Sequence, residues 1–193
     1  MRIGIVALQG DFEKHARALE QLGVDHAYVR DGAHLDAVDG LILPGGESTT
    51  MLRLLEAEDL FDPLLEFAKA HPILGTCAGC ILMASEVTPS AQRCLNLLDI
   101  TVERNAYGRQ AASSIRTLKP DAAFVERAGP GELEAVFIRA PMIRRIGGDV
   151  RVLIADGANP VMVEEGLHLA TTFHPELSGD GRIHRLFAEK IRK

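Results

Sequence analysis

The sequence predicts an α/β fold, with a mostly parallel sheet, helices on both faces and antiparallel strands added at the sheet edge. Two patterns carry this expectation. In the first half, short continuous apolar runs alternate with stretches whose apolar residues recur at helical spacing, the rhythm of strand–helix–strand crossovers. After residue 95 the texture changes to short apolar runs joined by turns. A third observation sets the scale. The chain has 193 residues, 47% hydrophobic and 25% charged, with no linker, repeat or low-complexity segment to divide it, so one domain over residues 1–193 is expected.

The elements follow in order. Residues 3–8 are apolar without alternation, as in a strand buried on both faces. Asp11 then suits an N-cap, and Phe12, His15, Ala16, Leu19 and Leu22 fall at helical spacing before Gly23. Residues 24–29 read as a second strand and 40–43 as a third, ended by Pro44-Gly45-Gly46. Ser48 is expected to cap a helix carrying Met51, Leu52, Leu54 and Leu55. Residues 72–75 form a fourth short strand that runs directly into a helix holding Ile81, Leu82 and Met83. Strands are expected at 98–103, 110–117, 135–138, 150–155, 160–164 and 169–173, and a closing helix at 182–191.

Charge and cysteine content narrow the function classes. The formal net charge of −6 argues against a duplex-wide phosphate-binding surface. Residues 1–100 carry 7 basic and 15 acidic side chains and residues 101–193 carry 14 and 12, which leaves room for a local anion site in the second half. Three cysteines do not make a disulfide framework. The opening apolar run is shorter than the core of a secretory signal, and the uncharged stretch at 73–85 is shorter than the about 18 residues of a membrane helix. A soluble, cytoplasmic protein is expected.

Gly75-Thr76-Cys77-Ala78-Gly79 has the form of a nucleophile elbow between a strand and a helix, with Cys where other enzymes carry Ser. Small neighbours let the backbone turn sharply, and a helix start favours a thiolate at Cys77. The reading expects Cys77 on a surface turn, with the N–H of Ala78 available to an oxyanion. Cys77-Ala-Gly-Cys80 is equally a C-x-x-C pair, so a thiol-disulfide or stress-response protein stays open on these residues. Cys80, one turn on, would then bridge to Cys77. A zinc site lacks ligands at suitable spacing.

Phe173-His174-Pro175-Glu176 follows an apolar run. In an extended segment, residues two apart face the same way, which would pair His174 with Glu176 as base and orienter. Pro44-Gly45-Gly46-Glu47-Ser48 lies at the end of the third expected strand, where open α/β sheets bind ligands. Its paired glycines allow close backbone approach, and the peptide between them can turn an N–H toward or away from developing charge. A dinucleotide site is not expected, since no G-x-G-x-x-G occurs.

Elbow, PGG loop and H-P-E together resemble the class I (triad) glutamine amidotransferases. Ala7-Leu-Gln-Gly-Asp11, Leu43-Pro-Gly-Gly-Glu-Ser-Thr-Thr50, Gly75-Thr-Cys-Ala-Gly79, Val102-Glu-Arg-Asn-Ala-Tyr-Gly-Arg-Gln110, Val136-Phe-Ile-Arg-Ala-Pro141 and Phe173-His-Pro-Glu-Leu177 carry the likeness from end to end. The fourth and fifth stretches resemble those of glutaminases that feed a pyridoxal 5'-phosphate synthase. The resemblance implies a flavodoxin-like three-layer fold and hydrolysis of L-glutamine to L-glutamate and ammonia. It also implies a Cys77, His174, Glu176 triad and glutamine contacts at Gly46, Glu47, Ser48, Arg104, Ile138 and Arg139. The oxyanion donors would be Ala78 and Gly46. No metal or organic cofactor is implied. The partner would be the ring-building synthase subunit, in a large hetero-oligomer. Cys80 departs from the family, which has an aliphatic residue there.

Overall fold

The apolar run that opens the chain lies one strand in from the edge of a seven-stranded sheet. The computed structural model describes residues 1–104, 106 and 113–192. Residues 110–112 of one expected strand, and Asn105 and residues 107–110 of one family-like stretch, lie outside the described residues. The elements are β1 (Arg2–Val6), α1 (Phe12–Gln21), β2 (Asp25–Val29), β3 (Gly40–Leu43), α2 (Ser48–Ala57), α3 (Phe61–Ala68), β4 (Ile73–Thr76), α4 (Ala78–Met83) and β5 (Ala84–Thr88). They continue with β6 (Leu98–Glu103), β7 (Ser114–Leu118), α5 (Ala122–Ala128), β8 (Leu133–Phe137), β9 (Met142–Ile146), β10 (Arg151–Asp156), β11 (Asn159–Glu165), β12 (His168–Thr171) and α6 (Arg182–Ile191).

The large sheet has the order β10-β11-β12-β4-β3-β1-β2. Its five strands from β12 to β2 are parallel, and β11 and β10 extend it antiparallel. The parallel part has the doubly wound order of flavodoxin-like folds, as expected. Alternation along each strand feeds two cores. Ile3, Ile5, Ile42 and Leu74 face α1, α5 and α6, where Leu19, Phe124, Leu186 and Phe187 pack. Val6, Leu41, Leu43 and Ile73 face α2, α3 and α4, where Met51, Leu55, Leu64 and Leu82 pack. Each such fully buried side chain contributes about 1.5–3 kcal/mol. No helix of the described residues is long and apolar enough to cross a membrane.

Several expectations are corrected here. The strands expected at 150–155 and 160–164 supply the antiparallel edge as β10 and β11, whereas those at 98–103, 110–117 and 135–138 lie outside the main sheet. Instead, β6 lies between β5 and β9 in a three-stranded sheet, and β7 pairs with β8 in a two-stranded one. The helices α3 and α5 and the strands β5 and β9 were not expected. The helix after the elbow is only six residues long because the chain enters β5 at Ala84. Ser48 is not the cap of α2 but its first residue. Glu47 holds the cap position, accepting the N–H groups of Thr49 at 3.1 Å and Thr50 at 2.7 Å. Asp11 occupies the cap position of α1 without making a side-chain capping bond.

The first turn of α4 crosses the sheet at backbone contact. A Cβ on Gly79 would stand 2.1 Å from the carbonyl oxygen of Leu43, which belongs to β3 and cannot rotate aside. Gly79→Ala is therefore expected to destabilise the protein by about 1–3 kcal/mol, the usual cost of overpacking, or about 2–4 °C of Tm per kcal/mol. Thermal unfolding of the variant checks this. An unchanged Tm would mean that the crossing is not tight.

Candidate active site

Four strand ends meet above the sheet. Gln9 to Asp11 follow β1, the Gly45-Gly46 loop follows β3, Cys77 follows β4 and His174 follows β12. This is the carboxyl edge, where open α/β sheets form ligand crevices.

Cys77 adopts φ 49° and ψ −99°, a left-handed conformation costing about 1–3 kcal/mol for a residue with a side chain. Two bonds hold it there. Its N–H donates to the Thr171 carbonyl at 2.9 Å, and its carbonyl accepts the Ile81 N–H at 3.2 Å. The residue is only 6% exposed. The expectation of a surface turn is thus corrected, because the elbow is sunk between β4 and β12 and roofed by the segment at 138–141. The Cys77 Sγ lies 3.9 Å from the Ile138 carbonyl. Cys80 lies wholly inside the core, where burial pushes its thiol well up. It behaves as a small apolar residue there.

His174 and Glu176 do meet, though not by strand alternation. Residues Pro175–Leu177 form a short 3-10 turn, with His174 just before it at φ −104° and ψ 89°. His174 Nδ1 and Glu176 Oε1 are 2.7 Å apart, and both residues are buried. A buried carboxylate on Nδ1 places the donor proton there and leaves Nε2 for the cavity. The Asp11 carboxylate stands 3.8 Å from the same Nδ1. Burial by itself pushes the imidazole pKa down. Hydrogen bonds with Cys77 and Glu176, and the negative charge those groups bring, outweigh it and raise the pKa to about 10.

The glycine loop is shaped by what surrounds it. A Cβ on Gly45 would stand 2.4 Å from His174 Cε1, and one on Gly46, at φ +150°, would stand 2.2 Å from Gln9 Nε2. The Gly45 carbonyl accepts the Asp11 N–H at 3.3 Å. In a trans peptide this turns the Gly46 N–H the opposite way, away from Asp11. Gln9 holds the next peptide, accepting the Glu47 N–H at 3.2 Å.

One cavity gathers Cys77 and His174 with all six residues expected to contact glutamine, namely Gly46, Glu47, Ser48, Arg104, Ile138 and Arg139. Glu176 lies behind His174, and Ala78 opens α4 beside Cys77. The cavity is also lined by Asp11, Ile81 and Pro141, which sequence reasoning did not assign to the site. Ile81 was findable, being four residues from Cys77 and so on the same helix face. The two arginines differ. Arg104 donates to Gln92 Oε1 at 2.8 Å, Thr49 Oγ1 at 3.0 Å and Glu47 Oε1 at 3.4 Å. Arg139, at φ 44°, has no hydrogen-bond or ion-pair partner among the described residues.

The model of the SNO glutamine amidotransferase family matches residues 5–193. A protein of Solibacter usitatus (strain Ellin6076) named pyridoxal 5'-phosphate synthase subunit PdxT is 54% identical over 190 residues, covering 98% of this chain and 99% of the relative. A protein of the same name from Koribacter versatilis (strain Ellin345) is 47% identical, covering 100% of this chain and 96% of the relative. A solved structure described as a crystal structure of glutamine amidotransferase superposes with a TM-score of 0.90 at 40% identity, covering 99% of each chain.

Two buried histidines and one half-buried one set the acid limit of the fold. Burial lowers the pKa of His15 well below 6.5 and those of His168 and His184 to about 4. A depressed folded pKa contributes stability that is present above the unfolded value and lost as pH falls through the folded one. Unfolding free energy is therefore expected to decline between pH 6.5 and about 4. Denaturant titrations across that range test this, and constant stability down to the lower end would contradict it.

Proposed function

The chain belongs to the SNO glutamine amidotransferase family, and on that premise we propose that Cys77, His174 and Glu176 are the catalytic triad of its glutaminase reaction. The protein hydrolyses L-glutamine to L-glutamate and ammonia, which supplies nitrogen for vitamin B6 synthesis. The observation that supports the triad is the His174 ring, which lines one cavity with Cys77 while its Nδ1 is tied to the buried Glu176 carboxylate.

The Cys77 thiol gives its proton to His174 as substrate is attacked. Cys77 sulfur adds to the side-chain amide carbon, and the carbonyl π electrons move to oxygen. The N–H groups of Ala78 and Gly46 receive that oxyanion, each such donor being worth about 10²–10³ in rate. Collapse of the adduct breaks the C–N bond, and the His174 proton passes to the leaving nitrogen, releasing ammonia. A water then attacks the γ-glutamyl thioester while His174 takes its proton, and the thioester gives glutamate and free Cys77. Arg139, with no acceptor of its own among the described residues, takes the substrate α-carboxylate. Arg104 braces Glu47 and Thr49 along the same wall. Ser48 and Ile138 complete the contacts.

The whole of residues 1–193 acts as one glutaminase domain in the cytoplasm. Its partner is the ring-building pyridoxal 5'-phosphate synthase subunit, in a large hetero-oligomer, as the names of the relatives suggest. The Gly45 carbonyl is held to Asp11 by a single 3.3 Å bond, so docking of a partner can reset the aim of the Gly46 N–H.

Three outcomes are expected. Cys77→Ala lowers glutamine hydrolysis at least about 10³-fold while its Tm stays close to that of the native protein. Retained ammonia release would discard the mechanism. Next, kcat falls as pH rises through about 10, where His174 loses the proton that the leaving nitrogen needs. A profile flat to higher pH would contradict this. Finally, adding the synthase subunit raises ammonia release by up to about 10²–10³-fold, the worth of one oxyanion donor. Equal activity with and without the partner would remove the gating idea.

A further inference from the structure

Behind Glu176 lies a buried chain of polar groups that the triad chemistry does not use. His15 on α1, Thr76 at the end of β4 and His184 on α6 are all fully buried. His15 Nε2 is 3.4 Å from Glu176 Oε2 and 3.2 Å from Thr76 Oγ1, and His15 Nδ1 is 2.9 Å from His184 Nε2. Glu176 Oε1 serves His174, whereas Oε2 is buried and makes no full hydrogen bond, with His15 Nε2 standing beside it. The outermost atom of the chain, His184 Nδ1, is buried with no partner.

These facts choose one arrangement of protons. If His15 carried its proton on Nδ1, its Nε2 lone pair would face a carboxylate oxygen in a dry pocket. The proton between the rings would then come from His15, and His184 would keep its own proton on Nδ1, a buried donor with no acceptor. Unpaired buried donors and opposed lone pairs both cost free energy. The alternative satisfies more groups. His184 Nε2–H donates to His15 Nδ1, and His15 Nε2–H faces Glu176 Oε2 with Thr76 Oγ1 as a second acceptor. Only a bare acceptor, His184 Nδ1, remains unpaired. Burial and the neighbouring histidines keep His15 neutral, as this arrangement requires.

We infer that His15 is a positioning residue for the glutaminase reaction, holding Glu176 by its second oxygen so that the first stays on His174, with His184 fixing the His15 tautomer. Without a donor at Oε2 the carboxylate turns toward whatever donor remains, and His174 loses the constraint on its ring plane. The consequence falls on the chemical step rather than on substrate binding, because His15 and His184 do not line the cavity. The inference rests on the triad reading above.

The test compares two substitutions in the full chain. His15→Phe keeps the volume and removes the donor, and is expected to lower kcat about 10- to 100-fold, the usual effect of removing an outer partner of a reacting group, with KM for glutamine little changed. His15→Gln puts an amide N–H near the Nε2 position and is expected to recover most of that loss. Equal losses in the two variants, or KM rising in step with the fall in kcat, would overturn the proposal. Should His15→Phe fail to fold, nitrogen-15 NMR of the native protein decides. A neutral His15 protonated at Nε2 is expected, and an Nδ1-protonated ring or an imidazolium would overturn it. Failure of the triad reading looks different, since Cys77→Ala would then keep its activity whatever His15 does.

Discussion

The N–H of Cys77 reaches across to the Thr171 carbonyl at 2.9 Å, and the geometry of the cavity depends on that bond. It continues the parallel pairing of β4 with β12, in which Thr76 lies opposite Thr171, one residue past the last regular pair. The bond stabilises a backbone conformation that a cysteine does not adopt at no cost. It also fixes the distance along the chain to His174, the proposed base. Thr171 is three residues before His174, whose own N–H is pinned to the Val136 carbonyl at 2.9 Å. The proposed nucleophile and base are thus carried by adjacent strands, each tied by the backbone rather than by side-chain packing. Rigid elements place reacting groups more accurately than loops do.

Burial gives this arrangement its chemical character. An imidazole in a dry site ordinarily sheds its proton, as His15, His168 and His184 do. His174 differs from them in having Glu176 at 2.7 Å and Cys77 across the cavity. One fold therefore holds histidines of opposite charge preference a few ångströms apart. His15 also has a Glu176 oxygen 3.4 Å from its ring, so what separates His174 is its pair of hydrogen bonds, with Cys77 and with Glu176, rather than exposure. Charges of this kind are costly in isolation and acceptable only where each oxygen has a partner.

Much of this was legible in the residues. The third strand and the closing helix fall where apolar spacing puts them, at Gly40–Leu43 and Arg182–Ile191, because both are buried by the sheet and their patterns are unbroken. The elbow and the H-P-E stretch held the residues proposed as the triad, and the cavity collects Cys77, His174 and the six residues that the family resemblance implied for glutamine. The less legible parts share a cause, which is that they depend on partners distant in sequence. A period-two pattern shows that residues 98–103 form a strand but not that β5 and β9 flank it rather than the main sheet. Glu47 displaces Ser48 as a cap because its carboxylate reaches two N–H groups at once. His174 and Glu176 were paired by the wrong geometry, since a proline after His174 started a turn instead of prolonging a strand. His15 read as one more residue on the buried face of α1, and nothing local reveals that its ring meets Glu176.

The β4–β12 pairing also orders events in time. Its register joins Leu74 to Leu169, so closing it brings together residues separated by most of the second half of the chain. Contacts between residues this far apart carry a loop-closure entropy that local helices avoid, and they slow folding. A chain that has not reached that stage holds a cysteine with no base beside it, no carboxylate behind the base and no carbonyl to fix the elbow. Its thiol is then as unreactive as any other. Incompletely folded molecules are therefore silent rather than partly active, and the cell is spared glutamine hydrolysis by chains that cannot yet form a complete site.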